Sequence, residues 1–284
     1  MPRGITPRQP SRAGRQDRVA RGVVPIAKKP KSTALLAKKN KPAPSSTIGK
    51  ARAKRTNKGY NPTAPERVAE ILKRLDQTYP DVTCALTHKS AWELLVATIL
   101  SAQSTDVNVN KVTPEIFRKY PSVHDFAALT PEQLEPDVRS TGFFRNKSKS
   151  VVGAAKKIVS DFGGQVPDDM NQLLTLPGVA RKTANVVLGT WFKKGVGVVV
   201  DTHVQRISRR LELTTNNEPQ KIEQDLMKVI PQEKWILFSH QIIWHGRKIC
   251  YARKPNCVEC PLENLCHAED KTWSTVEKHK DAKG

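Results

Sequence analysis

From about residue 63 onward, apolar residues recur at three- and four-residue spacing, and polar turns punctuate them. Val68, Ile71, Leu72 and Leu75 form one such stripe and predict a helix that ends before Pro80. Ser90-Ala91-Trp92-Glu93 reads as a capping box ahead of Leu94, Leu95 and Ile99. Thr113-Pro114 and Thr130-Pro131 each place a cap and a first-turn proline in front of a further helix. Asp168 to Leu174 reads as a short helix, the Pro177-Gly178 step forces a tight turn, and Ala184, Val187, Leu188 and Trp191 then recur at helical spacing. The predicted unit is helix, hairpin, helix. Val196 to Val200 is the one β-branched run, read as a buried connection rather than a strand. Trp92, Trp191, Trp235 and Trp244 all fall in helical apolar patterns and are expected to be packed. The fold class is therefore all-α, and the roughly 220 residues that carry these patterns suffice for two helical lobes.

Composition adds a polyanionic partner. The net charge is +21, and residues 1–60 hold 17 of the 48 lysines and arginines against one acid, Asp17, so +16 sits there and +5 in the rest. Runs such as Ala27-Lys28-Lys29-Pro30-Lys31 lack apolar periodicity, so residues 1–62 are expected to be a disordered basic tail that adds salt-sensitive affinity for DNA. An Arg-rich, acid-poor start also resembles a mitochondrial transit sequence, and nuclear targeting by the same tail stays open. No secretory apolar region and no run of eighteen apolar residues is present, which argues against a membrane. The expected location is the cytoplasm.

Cys250, Cys257, Cys260 and Cys266 stand in a C-x6-C-x2-C-x5-C array within seventeen positions. Soft thiolates this close together select an iron–sulfur cluster or tetrahedral zinc. A structural zinc site would usually show two C-x2-C pairs, and only Cys257 and Cys260 form one here, so the spacing leans towards [4Fe–4S]. Disulfides fit less well, because Cys84 leaves the count odd.

The hairpin segment runs Leu176-Pro177-Gly178-Val179-Ala180-Arg181-Lys182. A turn of this kind points free N–H groups of Gly178 and Ala180 outward at the positive end of a helix, which suits a phosphate and no particular base. Nineteen residues past Lys182, the run Val198-Val199-Val200 ends in Asp201-Thr202-His203. Asp201 is a natural N-cap, and a carboxylate emerging from an apolar run is also placed to be tuned for chemistry.

In these segments the chain resembles the endonuclease III family of base-excision DNA glycosylases, over about Ala64 to Cys266. Leu100-Ser101-Ala102-Gln103-Ser104-Thr105-Asp106 and Thr141-Gly142-Phe143-Phe144-Arg145-Asn146-Lys147 are similar to the family's DNA-facing loops. The resemblance implies that Lys182 is the nucleophile, Asp201 the catalytic aspartate and the four cysteines the ligands of a [4Fe–4S] cluster. It also implies that Gln103 and the Gly142-Phe143 loop fill the gap left by an everted base, and that Gly178, Ala180, Arg181 and His203 lie at the DNA. The family often has leucine where Phe143 stands and glycine where Ala180 stands, so orphan-base preference and hairpin geometry are expected to differ. An attacking lysine needs a lowered pKa; Lys182 in the first turn of a helix, directly after Arg181, has two causes for one.

The implied layout is residues 63–84 in the cluster lobe, 85–200 in a six-helix barrel with the hairpin, 201–266 in the cluster lobe with the cysteine loop, and 267–284 as a tail. Arg247, Lys248, Arg253 and Lys254 would then face phosphates. The expected activity is a bifunctional glycosylase and abasic-site lyase, acting as a monomer on double-stranded DNA with damaged pyrimidines or abasic sites. Two rivals remain: a monofunctional adenine or mismatch glycosylase, which typically lacks the lysine, the adenine enzyme also carrying a further C-terminal domain; and a non-catalytic helix-hairpin-helix module, which would not need Lys182 and Asp201 together.

Overall fold

Helix α1 (Pro65–Thr78) buries Val68, Ile71, Leu72 and Leu75, the stripe that predicts it, and ends at Tyr79 ahead of Pro80. The computed structural model describes residues 60–272. The leader through residue 59 and residues 273–284 lie outside it, and with them most of the tail and targeting expectations.

Ten further helices follow: α2 (Ala91–Leu100), α3 (Asp106–Lys119), α4 (Val123–Ala128), α5 (Pro131–Val138), α6 (Phe144–Phe162), α7 (Met170–Leu174), α8 (Arg181–Thr190), α9 (Thr202–Arg210), α10 (Pro219–Val229) and α11 (Trp235–Lys248). No strand occurs among the described residues, so the fold is all-α as expected. No described helix is long and apolar enough to cross a membrane.

Caps fix most helix starts. Ser90 Oγ accepts from the Glu93 N–H at 3.1 Å, but the Glu93 carboxylate reaches the N–H of Lys89 at 2.6 Å rather than that of Ser90. Ser122 and Asp125 form a reciprocal box, and Gln133 Oε1 accepts from the N–H of Thr130 at 2.8 Å. The expected start at Thr113-Pro114 is wrong. Pro114 lies inside α3, which Thr105 caps instead, its hydroxyl accepting from the Asn108 N–H. Val109, Thr113 and Ile116, buried on both sides of the proline, hold the helix through it against a cost of about 3 kcal/mol for an interior proline.

Two hydrophobic cores result. The first takes side chains from α2 through α8, including Leu94, Leu95, Leu100, Phe126, Leu134, Ile158 and Leu188. Helix α2 is buried on nearly every side, which explains why its sequence is apolar all round. The second joins α1 to α9, α10 and α11, with Phe238 and Ile242 at full burial and Leu262 reaching in from the cysteine loop. Val198 and Val200 belong to this second core, so its packing begins slightly before Asp201. The β-branched run stays a connection, and the N–H of Val199 is satisfied by Ser239 Oγ at 3.0 Å. Trp92 and Trp235 are packed, but Trp191 is 39% exposed at the end of α8, with only an edge contact to His88. Its place in the apolar period is the one that turns out of the core.

Residues 267–272, expected in the tail, are anchored. Asp270 pairs with Arg210, Lys271 Nζ donates to Glu263 Oε1 at 2.9 Å, and His267 Nδ1 lies 2.8 Å from the hydroxyl of Tyr60.

Candidate active site and nucleic-acid face

The hairpin forms between α7 and α8. Leu176 and Val179 are buried, and the Val179 N–H closes the turn on the Leu176 carbonyl at 3.1 Å. Gly178 adopts φ +75°, and a Cβ there would stand 2.5 Å from Ser150 Cβ, so both backbone and space demand glycine. Ala180 has φ −92° and ψ 169°. That extended backbone suits alanine, so the expected strain at this position does not arise.

Arg181 turns to α10. Its Nε donates to Glu223 Oε2 at 2.7 Å, and the buried Glu223 carboxylate also accepts from Asn185 Nδ2 at 2.8 Å. The hydrogen bond that Arg181 donates to Glu223 raises the Arg181 pKa. This cation is therefore paired rather than free beside Lys182.

Lys182 and Asp201 come from different elements and line one open cleft. Lys182 is in the first turn of α8, exposed, with no hydrogen bond or ion pair among the described residues. Asp201 caps α9, its Oδ1 accepting from the N–H groups of His203 and Val204, each at 2.8 Å, which fixes the carboxylate while the other oxygen stays unengaged among the described residues. Helix α11 supplies His240, Ile243, Trp244 and Arg247, one face at i, i+3, i+4 and i+7. Arg247 pairs with Asp106 at 2.5 Å across the cleft mouth, and Lys248 lies over the Trp244 ring at 4.9 Å. All four basic residues expected to face phosphates are exposed, and Arg247 and Lys248 also have these partners.

His203 is not part of the cleft lining. It packs on Gly246, where an added Cβ would lie 2.5 Å from its Nδ1, and that Nδ1 accepts from Arg206 Nη2 at 3.2 Å, since a guanidinium only donates. Burial chiefly lowers its pKa, Arg206 and Arg247 add to this, and Asp201 opposes it.

Gln103 and Phe143 share an unusual property. Both are exposed, Phe143 at 62%, and both hold left-handed backbones, φ +54° and +47°. A phenylalanine in this region is strained by roughly 1–3 kcal/mol, a cost that folding alone does not explain. Gly142 precedes it at φ +73°. Asn108, which the sequence patterns do not single out, and Lys147, the last residue of the second DNA-facing segment, hold these loops. Asn108 Nδ2 donates to Ser104 Oγ at 3.1 Å and to the Ser140 carbonyl at 2.9 Å, tying one loop to the other. Lys147, 4% exposed, donates to the Thr141 carbonyl at 2.7 Å, and burial lowers its pKa. A polar residue recurring inside each loop was the available signal.

All four cysteines of the array line one small cavity, remote in sequence from Cys84, and all five are free of disulfides. No three His, Cys, Asp or Glu side chains among the described residues converge on a single-ion site. Arg210 Nη1 donates to Cys250 Sγ at 3.1 Å, and Arg206 Nη2 to the Cys250 carbonyl at 2.8 Å. Burial, with the other three sulfurs adding, pushes the Cys260 thiol up to about 12, so thiolates here call for a compensating positive centre.

The family profile described as HhH-GPD superfamily base excision DNA repair protein matches residues 96–232. The chain is 55% identical over 201 residues to an endonuclease III of Synechocystis sp., covering 71% of this chain and 92% of that protein. It is 43% identical over 208 residues to an endonuclease III of Bacillus subtilis, covering 72% and 94%. A solved structure of a trapped endonuclease III–DNA covalent intermediate, in an estranged-adenine complex, superposes with a TM-score of 0.69 at 39% identity, covering 76% of this chain and 98% of that one.

Proposed function

The chain belongs to the endonuclease III family of base-excision DNA glycosylase/abasic-site lyases, and on that premise we propose that Lys182 is its nucleophile and Asp201 its catalytic carboxylate. The carrying observation is that the two line one cleft while the Lys182 amine has no partner to displace among the described residues. The Lys182 amine attacks C1′ of the everted nucleotide, the damaged base leaves with the C1′–N bond electrons, and Asp201 stabilises the positive charge developing at C1′. Loss of the amine proton and opening of the C1′–O4′ bond, with a proton passing to O4′, then give an imine that acidifies the C2′ proton, whose removal expels the 3′ phosphate by β-elimination. The solved endonuclease III relative trapped as a covalent intermediate with DNA supports this route.

Duplex DNA with oxidised pyrimidines or abasic sites is the proposed substrate, bound by a monomer. Gln103 and Phe143 are proposed to enter the duplex where the base has left, and their exposed left-handed placement supports that role. Backbone N–H groups around Gly178 and Ala180 are proposed to hold phosphate, with His203 at the DNA side of α9. Arg181 joins them only through the part of its side chain not engaged by Glu223.

Cys250, Cys257, Cys260 and Cys266 would hold a [4Fe–4S] cluster, a reading supported by their C-x6-C-x2-C-x5-C spacing and by the cavity that all four line. Bound there, the cluster would supply a fixed cross-link for the loop carrying Arg253 and Lys254. The layout of barrel at residues 85–200 and cluster lobe at 63–84 and 201–266 is proposed on the two cores. A duplex with one thymine glycol, assayed separately for free base and for strand nicking, tests the activity. Both products are expected; base release without nicking would favour a monofunctional enzyme, and binding with neither would favour a non-catalytic module.

A further inference from the structure

The α11 face towards the cleft carries three polar side chains, and two of them are already engaged. Arg247 pairs with Asp106, and Trp244 Nε1 points at the Thr83 carbonyl, 3.5 Å away. Elsewhere in the lining, Ser101 Oγ donates to the Thr98 carbonyl and Thr98 Oγ1 to the Leu94 carbonyl. His240 is different. It is half-buried in the same cleft as Lys182 and Asp201, and makes no hydrogen bond or ion pair among the described residues. Its ring nitrogens stay open to the cleft and are therefore available to a ligand. Val186, Val199, Ile243 and Leu86 line the same cleft.

We propose that His240 reads the everted pyrimidine, donating from one ring nitrogen and accepting at the other on the base's carbonyl and imide N–H edge. Pyrimidines of this class present two carbonyls flanking an N–H, and a neutral imidazole offers one donor and one acceptor, so the groups match in kind. Burial, reinforced by Lys193, lowers the His240 pKa to about 4, which keeps the ring neutral at physiological pH and preserves its acceptor. The apolar neighbours supply a wall for the ring face of the base, and Lys182 stands on the sugar side of the same cleft. This rests on the proposed lesion class. It goes beyond it by naming the residue that tells a base from its absence.

Two variants and two substrates test the assignment under single-turnover conditions, with full-length protein. His240→Leu removes the contact, and His240→Asn retains one donor and one acceptor. On a thymine glycol duplex, base release by His240→Leu should slow about five- to tenfold, with His240→Asn recovering most of the loss. On an abasic duplex, which has no base to read, nicking should stay within about twofold of wild type for both. Equal slowing on both substrates would make His240 structural and overturn the proposal, as would unchanged base release by His240→Leu. If the wild type nicks abasic DNA but releases no oxidised pyrimidine, the lesion class itself fails and the proposed contact with it.

Discussion

Glu223 Oε2 accepts from Arg181 Nε at 2.7 Å, and the same carboxylate takes Asn185 Nδ2 at 2.8 Å, so α10 grips the helix that carries Lys182 at two successive turns. Removing that carboxylate leaves Asn185, 3% exposed, with no partner for its amide. Glu223→Ala should lower unfolding stability by about 2 kcal/mol, discounted from the buried-pair range because Arg181 is partly exposed. Urea denaturation reads the midpoint shift. Glu223→Gln, which keeps an acceptor for Asn185, should lose less.

Phe143 separates stability from function. Glycine relieves its left-handed strain, so Phe143→Gly should gain up to about 1 kcal/mol in thermal or urea unfolding. The same variant loses the exposed ring and should slow base release from a fully paired duplex. Nicking of an abasic site in single-stranded DNA, where no gap opens, should change little. A variant that is less stable, or equally impaired on both substrates, would contradict the wedge role.

His240 also gives a pH signature. Its folded-state pKa is about 4, below the ordinary value of 6.5, so the unfolded chain binds a proton more readily between those values. Stability from this group is complete above pH 6.5 and falls as pH drops towards 4. Between pH 7 and pH 5 the contribution is about 2 kcal/mol. The gap in unfolding free energy between wild type and His240→Asn should shift by that amount against the wild type over this interval.

Cysteine loss should remove the cluster and leave the distal core. Cys257→Ser is expected to fall from about four iron and four sulfide per chain to well below that, by chemical assay of each. Thermal unfolding should begin earlier, because the loop reaching Leu262 into the second core is then uncrosslinked. Unchanged iron content would remove Cys257 from the ligand set.

The helical architecture was readable because apolar stripes such as Val68-Ile71-Leu72-Leu75 map onto buried faces with little ambiguity. Asp201 as a cap and Gly178 as the positive-φ residue were equally legible, since local geometry alone dictates them. Pro114 misled because a local stop signal lost to burial on both sides of it. Long-range partners were not legible. Glu223 under Arg181, Asp106 against Arg247 and Asn108 between two loops are separated by 42, 141 and 32 residues, and no spacing rule announces such pairs. His240 was missed for a related reason. On α11 it reads as one polar residue in an amphipathic helix, and only the cleft opposite gives it a task.

Borohydride trapping on an abasic or thymine glycol duplex, with wild type beside Lys182→Gln and Asp201→Asn at matched salt, tests the central claim most directly. A covalent protein–DNA adduct in the wild type that disappears with Lys182→Gln and is much reduced with Asp201→Asn is the predicted result. An adduct of undiminished yield in Lys182→Gln would contradict the assignment of Lys182 as the nucleophile.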